Sequence, residues 1–389
     1  MSKVAHICTS SSSHKILVDK LMLMKQRGYD IHLISSQEGY DEEMMKQYTL
    51  KLKFVPMNRS IRPFQDLRSI YRLIRLIKLE RYDIVHTHTA KAGLIGRIAA
   101  WITRTPLIVH TTHGLPFYEG QGALKNWMYR TLEIVGSFFC DAIASQNKED
   151  IVKIKDFAPG KRVFYEGNGV DLDHLDRRKA SITREELQKL RYDLQIDSSK
   201  KVLLVAARLE PVKNHSFLLA GIQQLVQSGK TNFVCLLAGK GPLESQIRAE
   251  ISAFGLEEYV RLIGHQSDIY PYIQLADLIS LTSEKEGIPR IIMEAMAFSK
   301  PVIASDVLGT RELVQHMNTG LLVPYLQEKE LANALKQVLF NDEWGKLLGQ
   351  NGRKVIEREF TEEAVTQRID HYYRQLNGGV VVKRQIEFS

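Results

Sequence analysis

At 389 residues the chain is longer than one hydrophobic core usually organises, so two domains are expected. Its 44% hydrophobic and 25% charged residues are those of an ordinary soluble globular protein, and no apolar run reaches the roughly 18 residues of a membrane-spanning helix. The net charge of +8 is uneven, with 25 Lys and Arg against 15 Asp and Glu in residues 1–165 and 28 against 30 in the remainder. A basic first half implies an anionic partner, with acidic lipid, phosphate and nucleic acid all open at this point. The start, MSKVAHICTSSSSHK, has no signal-peptide core and reads directly as a strand. Cys8, Cys140 and Cys235 are odd in number and widely spaced, the pattern of reduced, buried thiols in a cytoplasmic protein.

In chain order, Lys3 to Thr9 reads as a buried strand and His14 to Arg27 as a helix ending at Gly28. Strands follow at Ile31 to Ser35 and Leu50 to Met57, then an amphipathic helix from Phe64 to Arg81. Asp83 to His88 is a strand, Lys91 to Thr103 a helix, and Leu107 to Thr112 and Asp141 to Ser145 further strands. The pattern pauses at GNGVDLD near Gly167, and a charged stretch from Asp176 to Lys201 follows, which marks a domain boundary. Alternation restarts with VLLVAAR, FVCLLAG, YVRLIG, ADLISLTS and PVIAS as strands. Strands separated by helices imply parallel βαβ units, hence two successive Rossmann-like domains. Ligands of such sheets bind beyond the carboxyl ends of the strands.

Several residues at those ends carry chemistry. In SEKEGIPRIIMEAMAFSKPVIASDVLGTRELV, Pro289 suits the first position of a helix, and Gly287 lets a ligand approach the backbone. The N–H groups of Ile288, Arg290 and Ile291 would then face an anionic group at the helix start. Arg290 and Glu294 share a face with Gly287; read alone they are also an ordinary i,i+4 ion pair worth about 0.3 kcal/mol. Arg208 and Lys213 in VAARLEPVKN follow a buried strand, where a planar fork and a mobile point charge suit a diphosphate. Two such cations are otherwise solvated surface. Gly239 and Gly241 make a strand-end G-x-G turn without the third glycine of a dinucleotide fingerprint. HTH and HTTHG supply His86, His88, His110 and His113; no Cys or acidic ligand accompanies them, so zinc is not expected. His86 and His110 read as structural. His113, before Gly114, could reach a substrate hydroxyl as a neutral imidazole. Between Arg59 and Arg81 stand Arg59, Arg62, Arg68, Arg72, Arg75, Lys78 and Arg81, with Leu67, Ile70, Leu73, Ile74 and Ile77 expected to pack on the sheet.

EGIPRIIME and EAMA, followed by PVIASD, Gly309 and RELV, closely resemble the E-x7-E signature of the retaining family-4 glycosyltransferases, and the likeness extends over most of the chain. The resemblance implies an α/β GT-B fold, two Rossmann-like parallel-sheet domains facing a central cleft. Residues 1–170 would bind the acceptor and 171–360 the nucleotide sugar; a helix within 361–378 would cross back onto the first domain, and 379–389 would form a loosely held tail. It places the donor sugar at Glu286 and His113, the ribose at Glu294, and the departing diphosphate at Arg208 and Lys213. The diphosphate would also lie along Gly239 and Gly241, with the base near Gly264 and His265. Gly287, Ile288, Pro289 and Arg290 complete the donor site. HTHTAKAGLIGR puts His88 on a family motif, and Ser10 to Ser13 and His14 stand where many members have a glycine pair after the first strand; Ser12, Ser13, His14 and His88 are the acceptor-site candidates. Ser299 likewise replaces a common glycine. Asp171-Leu172-Asp173 has the D-x-D form that holds a metal in a different glycosyltransferase fold, but it falls in the linker.

The implied activity is metal-independent, retaining transfer by front-face substitution. The donor is a nucleotide-diphosphate sugar, expected to be a UDP-sugar, and the acceptor a glycan or a polyprenyl-diphosphate-linked saccharide. No cofactor and no nucleic-acid partner are expected, and the setting is cell-surface polysaccharide synthesis. The basic half then suggests peripheral association with the anionic inner face of the cell membrane. Alternatives are a nucleotide-sugar epimerase on the same architecture and a non-catalytic nucleotide-sugar-binding regulator.

Overall fold

The computed structural model describes residues 1–58, 60, 62–117 and 122–386, and for Lys15 and 378–386 the backbone alone. The chain divides after Asn168 and again after Thr361 into two compact units. The first unit holds strands β1 (Lys3–Ser10), β2 (Asp30–Ser36), β3 (Lys51–Phe54), β4 (Ile84–His88), β5 (Leu107–Thr112), β6 (Ala142–Ser145) and β7 (Arg162–Tyr165). They pair in parallel in the order β3-β2-β1-β4-β5-β6-β7, which reverses direction between β1 and β4. Side chains that alternate along β1 split the core. Val4 and Cys8 join Leu21, Met24, Ile369 and Tyr373 on one face, whereas Ala5 and Ile7 join Leu73, Ile77, Ile95 and Ala99 on the other.

The last helix, Glu362–Ile386, belongs to this first unit and packs beside Val18–Gln26. It runs beyond the expected span: the backbone of 379–386, read as a tail, continues the helix, and 387–389 lie outside the described residues. Several other expectations are corrected. The helix expected from His14 starts at Val18, because Ser11–Ile16 form a 3-10 turn whose Ser11 hydroxyl and His14 ring both bond the Ser35 hydroxyl. Local polar bonds of this kind compete with helix formation. β3 stops at Phe54 instead of Met57; Val55 N–H still bonds Ser35, but Pro56 has no N–H to extend the ladder. On the helix Pro63–Glu80, Leu73 and Ile77 are buried as expected, while Leu67 faces solvent with Phe64 and Tyr71. Arg59 lies outside the described residues.

The second unit carries β8 (Lys201–Ala206), β9 (Phe233–Ala238), β10 (Val260–Gly264), β11 (Leu278–Leu281), β12 (Val302–Ser305) and β13 (Leu321–Val323). They also pair in parallel, in the order β10-β9-β8-β11-β12-β13. Alternation repeats here: Val202 and Leu204 enter one core layer, Leu203 and Val205 the other. The charged stretch after Gly167 forms the helices Leu172–Ser181 and Arg184–Asp193. Asp171 caps the first by accepting the His174 N–H at 2.8 Å, and Thr183 caps the second. A D-x-D at a helix start thus has a structural account. β7 and β13, absent from the sequence reading, are too short to show a period. All three cysteines are buried and free. Among the described residues no helix is long and apolar enough to cross a membrane.

Candidate active site

In the second unit the residues singled out from sequence gather on the loops that follow β8, β9, β10, β11 and β12, all at the carboxyl edge of the sheet. Backbone bonds stack the first three loops: Ala207 N–H donates to Ala238 O at 3.0 Å, Leu209 N–H to Lys240 O at 3.1 Å, and Gly239 N–H to Gly264 O at 2.8 Å. The glycines permit this contact. A Cβ would lie 1.9 Å from Ala207 O at position 239 and 2.3 Å from Leu209 O at position 241. Gly264 has φ +69°, and His265 beyond it is exposed.

The loop after β11 is tied to the loop after β8 by Glu284 N–H on Val212 O at 2.9 Å and by the Thr282 hydroxyl on Asn214 O at 3.2 Å. Lys213 Nζ thereby meets Glu286 Oε1 at 2.6 Å, their side chains only 18% and 10% exposed. Arg208 stands apart from this pair, with its side chain 71% exposed and ion-paired to Glu210 at 2.6 Å. Arg290 Nε bonds Glu294 Oε1 at 3.0 Å, so the simple i,i+4 pair is present. Its acid, however, is buried, and burial raises the Glu294 carboxyl above its usual range against the pull of Arg290.

One expectation here is corrected. Pro289 is the N-cap, not the first helical residue: its ψ of 115° is extended, and its carbonyl accepts the Ile292 and Met293 N–H groups, so the helix is Arg290–Ala297. Ile288 therefore belongs to the loop. Gly287 is held from behind by Gly309, where a Cβ would lie 1.1 Å from Gly287 O. The hydroxyls of Ser283 and Ser305, at the ends of β11 and β12, are buried without a protein partner.

In the first unit, His6 Nδ1 and His88 Nε2 lie 2.9 Å apart, and His88 Nδ1 and His113 Nε2 3.1 Å apart. Burial, with Lys20 reinforcing it, pushes His113 down to about 4, so the ring is neutral at pH 7. His86 bonds the Tyr373 and Thr111 hydroxyls, each at 2.6 Å, and His110 bonds Thr87 at 3.0 Å. Ring nitrogens of His6, His86 and His88 come within 4.8 Å of one another, close enough to suggest a metal site, but hydrogen bonds engage all of them except His6 Nε2. His14 is buried, its Nε2 on the Ser35 hydroxyl at 3.0 Å; Ser13 lies near Cys8, and the exposed Ser12 bonds Ser10 at 2.7 Å.

Sequence reasoning missed the buried centre of this unit. Lys20 Nζ and Glu166 Oε1 form an ion pair at 2.8 Å, 1% and 0% exposed, and Glu166 Oε2 accepts from Thr111 and Tyr372. Burial alone would raise the Glu166 carboxyl; Lys20, His86 and the hydrogen bonds outweigh it and hold the group at about 2.

Two parallel-sheet units with loops of this kind at their carboxyl edges define a GT-B protein. The family described as "Glycosyl transferases group 1" matches residues 187–355, and "Glycosyl transferase 4-like" matches residues 3–147. The chain belongs to the family-4-like glycosyltransferases of GT-B fold. It is 27% identical over 376 residues to the UDP-Gal:alpha-D-GlcNAc-diphosphoundecaprenol alpha-1,3-galactosyltransferase of Escherichia coli, covering 95% of each chain. It is also 27% identical to the capsular polysaccharide biosynthesis glycosyltransferase CapM of Staphylococcus aureus, covering 95% of this chain and 96% of CapM. Anabaena HepE, solved in complex with UDP and glucose, superposes with a TM-score of 0.80 at 21% identity over 96% of this chain and all of HepE.

Proposed function

We propose that this glycosyltransferase moves a sugar from a UDP-sugar to a saccharide carried on a polyprenyl diphosphate, with retention of anomeric configuration and without a divalent ion. The observation that carries the reading is the Lys213–Glu286 pair, set at the carboxyl edge of the sheet with the G-x-G turn packed against the same loop. Lys213 and Arg208 stabilise the diphosphate as its charge grows on bond breaking. Glu286 takes hydroxyls of the donor sugar, and Glu294 takes those of the ribose. Gly287 through Arg290 lie under the donor, and Gly264 with His265 lies beside the base. Neutral His113, steadied by His88, offers a hydrogen bond to the sugar, and Ser12, Ser13 and His14 line the acceptor side.

The donor class is supported by the UDP-galactose-dependent description of the Escherichia coli relative and by the UDP bound to HepE. The acceptor class is supported by that relative and by two Campylobacter jejuni relatives described as acting on diphospho-undecaprenol-linked sugars. Such an acceptor lies in a bilayer, so the protein works as a peripheral enzyme at the cytoplasmic face. Stabilisation against thermal unfolding by a panel of nucleotide sugars identifies the donor, since a ligand at 100 times its Kd adds about 2.7 kcal/mol. Transfer to a synthetic saccharide–diphosphate–lipid in excess chelator, with NMR of the new linkage, then tests the chemistry. Retained configuration and full activity are expected; inversion or an absolute need for manganese would overturn the mechanism.

A further inference from the structure

The helices Pro63–Glu80, Ala90–Ile102 and Ala123–Ser137 of the first unit enclose a cavity of about 580 Å³. Its walls are apolar, with Leu94 and Ile95 from one helix, Tyr129 and Leu132 from another, and Pro116 from the loop after β5. Its charged groups are already matched. Lys91 Nζ pairs with Asp66 at 2.6 Å and bonds the Ser60 carbonyl, and Glu133 is bound by the buried Arg97 at 3.3 Å.

The cavity has a direction. Lys91 stands in the first turn of a helix that begins two residues after His88, at the carboxyl end of β4, and Leu94 and Ile95 follow one turn further along. Pro116 is three residues beyond His113. The end that carries the Lys91–Asp66 pair therefore lies on the histidine side, at the carboxyl edge of the sheet, and the apolar walls lead away from it. Phe64, Leu67 and Tyr71 on one of these helices and Leu124 and Trp127 on another are exposed. Arg68, Arg72 and Arg75 lie exposed among the first three. An exposed apolar patch rimmed by charge marks an interaction site.

A nucleotide or a free glycan has no use for walls of leucine and isoleucine. A molecule with an anionic head where the sugar is transferred and an apolar tail leading outward matches both ends. We propose that this cavity holds the first isoprene units of the acceptor's polyprenyl chain, with the diphosphate outside it, toward the histidines. The inference rests on the lipid-linked acceptor proposed above and names the part of the chain that recognises its lipid.

Calorimetry of the full chain with farnesyl diphosphate and with inorganic diphosphate tests it. Each buried methylene is worth about 0.8 kcal/mol, so the farnesyl compound should bind at least about 10-fold more tightly. Leu94→Trp and Leu132→Trp, which fill the cavity without adding charge, should abolish that preference and leave inorganic diphosphate binding unchanged. Equal affinity for the two probes, or a preference that survives in both variants, would overturn the proposal. A benzophenone-bearing farnesyl diphosphate gives an answer on the unaltered protein: crosslinks within 90–95 or 129–133 support the cavity, and crosslinks confined elsewhere sink it. A farnesyl preference without transfer to any lipid-linked acceptor removes the acceptor reading but leaves the cavity. Transfer to lipid-linked acceptors with no farnesyl preference does the reverse.

Discussion

Lys213 Nζ lies 2.6 Å from Glu286 Oε1, joining two loops that are 73 residues apart in sequence. Each group is the other's counter-ion in a place largely screened from water, so removing either leaves a charge without its partner. In the proposed reaction an incoming diphosphate competes with Glu286 for the ammonium. Donor binding would thereby release the carboxylate toward the sugar hydroxyls.

Lys213→Ala and Arg208→Ala are each expected to lower turnover by about 10²- to 10³-fold while changing donor affinity less, because their partner charge grows in the transition state. Their stabilities should differ. Arg208 is mostly exposed, so its loss leaves the melting temperature close to wild type. Lys213→Ala should lower it, since Glu286 keeps its charge and loses its cation. Steady-state kinetics, UDP calorimetry and thermal unfolding of both variants check this; near-wild-type turnover in both would remove the phosphate assignment.

Glu286→Gln should cripple transfer and leave nucleotide affinity largely intact, whereas Glu294→Ala should weaken nucleotide binding itself. Calorimetry with UDP separates the two. An exchange of effects would mean that the sugar and ribose roles belong to the opposite glutamates.

Gly309→Ala tests the support beneath the loop. A Cβ there would lie 1.1 Å from Gly287 O and 2.9 Å from Glu286 O, both backbone atoms, so the loop has to move. Displacement by this much at a binding loop is expected to cost at least about 10²-fold in kcat/KM. Donor affinity and turnover at wild-type levels would show that the loop's position is not critical.

In the second unit the placement of the candidate residues beyond the strand ends was legible, because strand and turn signals are local. Gly239 and Gly241 mark a turn at a strand end, and Arg290 and Glu294 are one turn apart. What stayed hidden depends on distance along the chain. The Lys20–Glu166 pair joins residues 146 apart, and the His86–Tyr373 bond spans 287. No period or motif announces such partners. Leu67 misled for a different reason: at helical spacing it looks like core, yet it falls on the outer side of its helix. Pro289 shows the limit at element ends, where a proline suits both the N-cap and the next position.

Stability should fall in acid, and the histidines set where it begins. Burial lowers His14, His86, His113 and His215 to about 4, against about 6.5 in the unfolded chain. Between those values the unfolded state binds more protons, so stability rises with pH across the window and is lost as pH falls from 6.5 toward 4. Each ring contributes up to about 1.4 kcal/mol per pH unit. Glu166 adds a second loss: its folded value of about 2 lies below the unfolded value of about 4.3, so its contribution is present above 4.3 and disappears toward pH 2. Urea midpoints by circular dichroism should hold steady from pH 8 to 7 and decline below 6.5. His86→Gln should flatten that decline. A midpoint unchanged between pH 6.5 and 5 would contradict neutral, buried histidines.

The helix Pro63–Glu80 gives the last prediction. Leu73 and Ile77 face the core, while Phe64, Leu67, Tyr71 and Leu79 stand exposed, Phe64 at 89%. Arg68, Arg72, Arg75 and Lys78 are exposed on the same outer side. A merely solvated face would be polar, and four large apolar side chains interleaved with four cations are instead the composition of a helix lying in a membrane interface. Each basic residue near an anionic bilayer adds about 1 kcal/mol, and the attraction weakens steeply with salt. The protein should therefore co-sediment with phosphatidylserine vesicles at low ionic strength and release as salt is raised. Reversing three charges, in Arg68→Glu, Arg72→Glu, Arg75→Glu, removes at least about 3 kcal/mol and should weaken binding by more than about 100-fold. Phe64→Ser, Leu67→Ser, Tyr71→Ser should bind more weakly at every salt concentration while keeping the salt dependence, because it loses only insertion. Equal binding by wild type and the charge-reversed protein, or binding indifferent to salt and lipid charge, would rule this helix out as the membrane contact.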